Sequence, residues 1–221
     1  MAYILILIVM VLSLIIQQTL QSRFDKYSKV SINMSGAEIS ALMLKQNGID
    51  DVKITSINGK LTDNYNPTNK TINLSESVYA QHNIAAAAVA AHETGHCLQH
   101  AQDYLPLKLR SALVPVVSFA NNTVQWVLLA GILLLEIFPQ VLWAGIALFA
   151  LTTLFSFVTL PVEINASERA IQWLEDSGIA DAETLPMAKD ALKWAAYTYV
   201  IAALGSLATL FYYIGIANSR R

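Results

Sequence analysis

The alternation of apolar and polar stretches divides the chain into membrane-length runs and one long polar insert. Residues Ala2 to Leu20 are apolar apart from Ser13, Gln17, Gln18 and Thr19, which is long enough to cross a bilayer. No basic stretch precedes this run and no small-x-small site follows it, which favours a retained anchor over a cleaved leader. The chain then turns polar. Ser35-Gly36-Ala37-Glu38 has the form of a capping box and Gly48 suits a C-terminal stop, which predicts a helix over Gly36 to Asn47 with Ile39, Leu42 and Met43 on one side. Val52 to Ile57 alternates, Asn58-Gly59 is a hairpin signal, and Leu61 to Tyr65 and Thr71 to Leu74 predict two further strands. A small antiparallel sheet is expected, with an edge suited to holding an extended peptide.

An alanine-rich helix follows, with Asn83 as its expected N-cap. Leu109 to Leu135 and Val141 to Leu160 are apolar runs joined by the Glu136 to Gln140 turn, and together predict a membrane hairpin. Asn121, Asn122 and Gln125 in the first run are expected to face other helices or water. A polar helical stretch runs on to Asp176, Ser177-Gly178 breaks it, and Ala195 to Ala217 forms a last span. The expected fold is a mainly α membrane protein with about four transmembrane helices and a soluble region containing the small antiparallel sheet. Its segments are an anchor (1–20), a soluble region that includes the alanine-rich helix (21–108), a transmembrane hairpin (109–161), a helix and loop (162–194) and a C-terminal span (195–221).

Composition agrees with a lipid-facing chain. Charged residues make up 14% and apolar ones 55%, against roughly 25% and 45–50% in soluble domains. The formal net charge of −2 gives no basis for a nucleic-acid partner. One cysteine, Cys97, excludes an intrachain disulfide framework and reads as a packing residue. Lysine and arginine placement puts the polar parts in the cytoplasm and the N-terminus outside. Arg220 and Arg221 disagree, since four crossings would put them outside as well. The residues set no oligomeric state.

The candidate chemistry lies in His92-Glu93-Thr94-Gly95-His96. Residues four apart on a helix lie one turn above each other, so both imidazoles can address one zinc ion. Glu93 stands to the side, where its carboxylate can take a proton from zinc-bound water. A catalytic zinc needs a third protein ligand. His100 has rotated about 80° from His92 and climbed about 12 Å, and His82 precedes the helix. Glu163, just past the membrane hairpin, returns to the side of the zinc helix; from position alone it is equally a ligand or a solvated carboxylate at a helix start.

The stretches Asn66 to Leu74 with Val78-Tyr79, His92 to His96 with Gln99-His100, and Leu160 to Glu163 with Ala166-Ser167 and Arg169-Ala170 resemble the YugP-type neutral zinc metallopeptidases of bacterial membranes. More distantly, the order of zinc motif, hairpin and Glu-x-x-Ala resembles the HtpX and CAAX prenyl proteases. The resemblance implies that Glu163 is the third zinc ligand. Those relatives often carry aspartate four residues later, where this chain has Ser167. The expected activity is that of a membrane-embedded zinc endopeptidase at a bacterial cell membrane, acting on peptide or protein substrates next to the lipid bilayer, with Glu93 as general base. The rivals are a non-catalytic zinc-binding or partner-binding protein and a membrane scaffold whose histidines bind nothing, and neither has a use for Glu93. Arg169, Tyr104 and Tyr65 are the candidates for stabilising the oxyanion.

Overall fold

The computed structural model describes residues 2–219, so Arg220 and Arg221 lie outside the described residues. The element order is α1 (Ala2–Tyr27), α2 (Gly36–Gln46), β1 (Lys53–Ile57), β2 (Asn64–Asn66), β3 (Thr71–Ser75), α3 (Ile84–Ala101), α4 (Leu105–Leu133), α5 (Pro139–Asp176) and α6 (Leu185–Asn218). Among the described residues, four helices are long and apolar enough to cross a membrane: α1, α4, α5 and α6. The apolar stretch of α1 presents nearly all of its large side chains outward, as lipid contact requires.

Local signals explain the start of each soluble helix. Ser35 caps α2 by accepting from the Glu38 N–H, while Glu38 accepts from the Ser35 N–H, and Gly48 takes a φ of 68° just past the helix end. Asn83 caps α3 by accepting from the Ala86 N–H at 2.9 Å.

The sheet differs from the expected antiparallel one. Its order is β1-β3-β2, with β1 parallel to β3 and β2 antiparallel to it. The anticipated hairpin between the first two strands does not form. β3 carries the buried Ile72 and Leu74 and takes the centre, where both of its edges find partners. The connection from β1 passes through Gly59 and Leu61, both at positive φ, and sends Leu61 against the core. β2 is thereby left as the edge strand beside α3.

α3 lies at the middle of the main core. Ala85 to Ala88, Ala90 and Ala91 are fully buried, and small side chains let neighbouring backbones come close. At Gly95 a side chain would meet the Ala166 carbonyl oxygen at 2.7 Å, so α3 and α5 touch nearly backbone to backbone. The hairpin of α4 and α5 is equally tight: a β-carbon on Gly131 would lie 2.5 Å from the Leu142 Cα. α1 is tied to α6 near the end of its apolar run, where the Tyr27 hydroxyl donates to Asp190 at 2.6 Å and Arg23 pairs with the same carboxylate.

Candidate functional site

α3 and α5 meet at the Gly95–Ala166 contact, and the groups that converge there are His92, His96 and Glu163. Glu163 Oε2 is 3.4 Å from His92 Nε2 and 3.5 Å from His96 Nε2. Ligand atoms of the three residues all lie within 4.8 Å of one another, so they can hold one metal ion. Nitrogen and oxygen donors on a tetrahedral zinc stand about 3.3–3.6 Å apart, which matches both measured separations. Glu163 is 3% exposed, and its Oε2 is buried with no hydrogen-bond partner. An ionised oxygen in that position is costly unless a cation meets it, so the donor set fits zinc.

Each histidine is held through its other ring nitrogen. His92 Nδ1 lies 3.1 Å from Ser167 Oγ, so the serine hydroxyl is the partner of that ring nitrogen. His96 Nδ1 lies 3.1 Å from Gln99 Oε1. Glu93 is buried beside the triad. Burial pushes its carboxyl up, with the Glu163 and Asp63 charges acting in the same sense and the two histidines against it.

Two cavities meet at these residues. One, of about 240 Å³, runs between α1 and α6, with Leu20, Phe24, Leu192 and Ala195 on its walls. The other, of about 410 Å³, runs beneath β2 and along α4, past Tyr65, Arg110 and Ser111. Asp63, Glu93, Glu163 and Tyr199 face both. Asp63 is fixed by accepting from the Ser75 N–H at 2.7 Å and hydroxyl at 3.0 Å.

Sequence reasoning missed Asp63, Arg110 and Tyr199, which lie in three different segments with no motif spacing. The orphaned Nε of Arg110 is the structural signal, since it is buried without a partner. The three residues proposed from sequence for the oxyanion are occupied elsewhere. Arg169 donates to Asn165 at 2.7 Å and to Gln102 at 2.6 Å, and its guanidinium lies over the Tyr104 ring. The Tyr65 hydroxyl is 2.9 Å from His100 Nδ1, so His100 points at a tyrosine and stands outside the triad. Cys97 is buried, and burial pushes its thiol up to about 11, which suits packing rather than nucleophilic chemistry.

The family described as "Putative neutral zinc metallopeptidase" matches residues 2–218. The chain belongs to this family. It is also 41% identical over 202 residues to the "Putative membrane protease YugP" of Bacillus subtilis strain 168, covering 90% of this chain and 89% of that protein. No solved structure matches. The zinc of this family and the convergence of His92, His96 and Glu163 agree with each other, and zinc is the cofactor that these residues can hold.

Proposed function

We propose that this protein is a gluzincin-type zinc endopeptidase, with His92, His96 and Glu163 as the metal ligands and Glu93 as the general base. The convergence of a buried, otherwise unpartnered Glu163 oxygen on both histidine Nε2 atoms carries this reading. Bound there, zinc supplies Lewis-acid polarisation of the scissile carbonyl and a water of lowered pKa. Glu93, buried beside both histidines, takes the proton of the attacking water and delivers it to the leaving amine. Ser167 and Gln99 orient the two imidazoles.

The division of the chain into anchor, peptidase region, hairpin, ligand helix and final span follows from the same reading. The site lies on the side richer in lysine and arginine, which supports a position at the cytoplasmic face of a bacterial membrane. A substrate chain lies across the metal from one cavity to the other. The cavity between α1 and α6 is apolar and flanked by membrane-length helices, so it takes residues next to a membrane segment. β2 is an edge strand in the other cavity and offers main-chain hydrogen bonds to an extended peptide. The substrate is therefore a membrane or membrane-associated protein.

Tyr199 and Arg110, which line the cavities beside the triad, are the proposed donors to the oxyanion. Of the four residues common to both cavities only Tyr199 carries a hydrogen-bond donor, and Arg110 brings a guanidinium whose Nε has no partner of its own. Tyr199→Phe and Arg110→Gln are each expected to lower kcat/KM by about 10²–10³-fold while zinc content stays at the parent level. Normal turnover in both would move the oxyanion donor elsewhere.

The metal assignment is tested by zinc per chain in the detergent-purified protein and in Glu163→Ala and His96→Ala. Close to one zinc in the parent and little in either variant is expected. Zinc retained in Glu163→Ala would place the third ligand elsewhere, and a parent without zinc would favour the scaffold reading. Turnover of an unfolded protein by the parent, abolished by a chelator, separates the enzyme from an inert zinc protein.

A further inference from the structure

His96 is held in a way that His92 is not, and the difference follows from counting donors. Gln99 is fully buried between α3 and α5. Its Nε2 donates to the Val162 main-chain carbonyl at 2.7 Å and to Asn165 Oδ1 at 3.1 Å. A main-chain carbonyl only accepts, so the amide NH2 has to face Val162 and the amide cannot be turned around. Arg169 adds a second restriction of the same sense. Its Nε donates to Asn165 Oδ1 at 2.7 Å. A guanidinium only donates, so Asn165 must present its oxygen there, and that oxygen in turn faces the Gln99 amide.

Gln99 is therefore left with its carbonyl oxygen toward His96 Nδ1 at 3.1 Å. That contact is a hydrogen bond only if Nδ1 carries the proton. A neutral imidazole has one N–H, so His96 Nε2 is a bare lone pair, and it points at the Glu163 oxygen 3.5 Å away. His92 is different. Its Nδ1 meets the Ser167 hydroxyl, which can rotate to donate or accept and so selects neither tautomer.

We propose that Gln99 is a positioning residue that locks His96 in its Nδ1–H tautomer, with the Val162 carbonyl and Arg169, acting through Asn165, holding the amide in that sense. This rests on His96 being a zinc ligand. Val162 is the residue before Glu163, so the helix that brings the third ligand also sets the tautomer of the second. The metal then meets one imidazole already in its ligating form, and His92 adjusts to complete the set.

The test uses the full-length protein in detergent. Ring-15N NMR of histidine-labelled, zinc-depleted parent, recorded at a pH high enough to keep the ring neutral and with the His96 signal identified by its absence in His96→Ala, is expected to show the Nδ1–H form alone. Gln99→Leu is expected to show both tautomers and to bind zinc about 10–100-fold more weakly in competition with a chelator. Asn165→Asp, which keeps an acceptor for both donors, is expected to hold zinc within a fewfold of the parent. An Nε2–H ring in the parent would overturn the proposal without any Gln99 variant having to fold. Parent-like zinc affinity in Gln99→Leu would overturn it as well. A parent that binds no zinc would instead sink the metal assignment itself, so the two failures are distinguishable.

Discussion

Glu93→Gln is expected to keep one zinc per chain and to lose peptide hydrolysis by about 10²–10⁴-fold. Glutamine fills the same volume and can still hold a water by a hydrogen bond, but its amide cannot take up the proton that the attack releases. Glu93 is buried beside the two histidines and faces both cavities. The substitution therefore removes the proton acceptor and little else. Metal analysis and turnover on the same sample make the comparison. Undiminished hydrolysis would dismiss Glu93 as the base, and loss of zinc together with activity would make it a ligand or a structural support.

The second large effect is expected at Gly95, between the two histidines. In an exposed helix interior, glycine to alanine stabilises by about 1 kcal/mol. Here the sign should reverse. The new β-carbon would lie 2.7 Å from the Ala166 carbonyl oxygen, and both sides of that contact are backbone. No side chain can rotate away, so α3 and α5 must move apart, at about 1–3 kcal/mol for overpacking of this kind. The displacement acts on Ala166, one helical turn from Glu163, and so on the proposed third ligand. Gly95→Ala should thus lower the melting temperature and weaken zinc together, with Gly95→Val more severe. A raised melting temperature and unchanged zinc affinity in Gly95→Ala would mean that the helices are not in such close contact.

The parts of this fold that the sequence makes legible are those set by local chemistry or by length. The capping box at Ser35, the Asn83 cap and the Gly48 stop each depend on neighbours within a few residues. The four long apolar helices follow from bilayer thickness. His92, Glu93 and His96 come together because a single helix turn brings them together. Glu163 needed the hairpin to return the chain, and the structure sets it beside both histidines.

What the sequence hides is set by partners remote in the chain. Asn58-Gly59 is a strong turn signal, yet β1 and β2 end on opposite sides of β3, because the apolar Thr71–Ser75 strand takes the centre and Leu61 is drawn to the core. Asp63, Arg110 and Tyr199 share a cleft only after three segments have packed. Arg169 looked like a free cation to offer an oxyanion; its guanidinium is committed to Asn165 and Gln102. Gln99 stands out in the sequence only as part of a resemblance, since its value lies in an unturnable contact with a carbonyl 63 residues away.

The residues that meet in the cleft also have an electrostatic balance. Asp63, Glu93 and Glu163 bring three carboxylates to the joined cavities, and Arg110 is the cation set against them there. With neutral histidines, full ionisation of the three acids would leave the protein alone two positive charges short of neutrality, which is the charge that a divalent ion brings. In the proposed reaction the water's proton would move to Glu93 as the carbonyl oxygen becomes anionic, so that one negative charge disappears as another forms. The reaction can then run beside the low-dielectric membrane without changing the net charge of its surroundings. The same three carboxylates attract protons as well as a divalent ion, so zinc affinity is expected to fall as the pH is lowered.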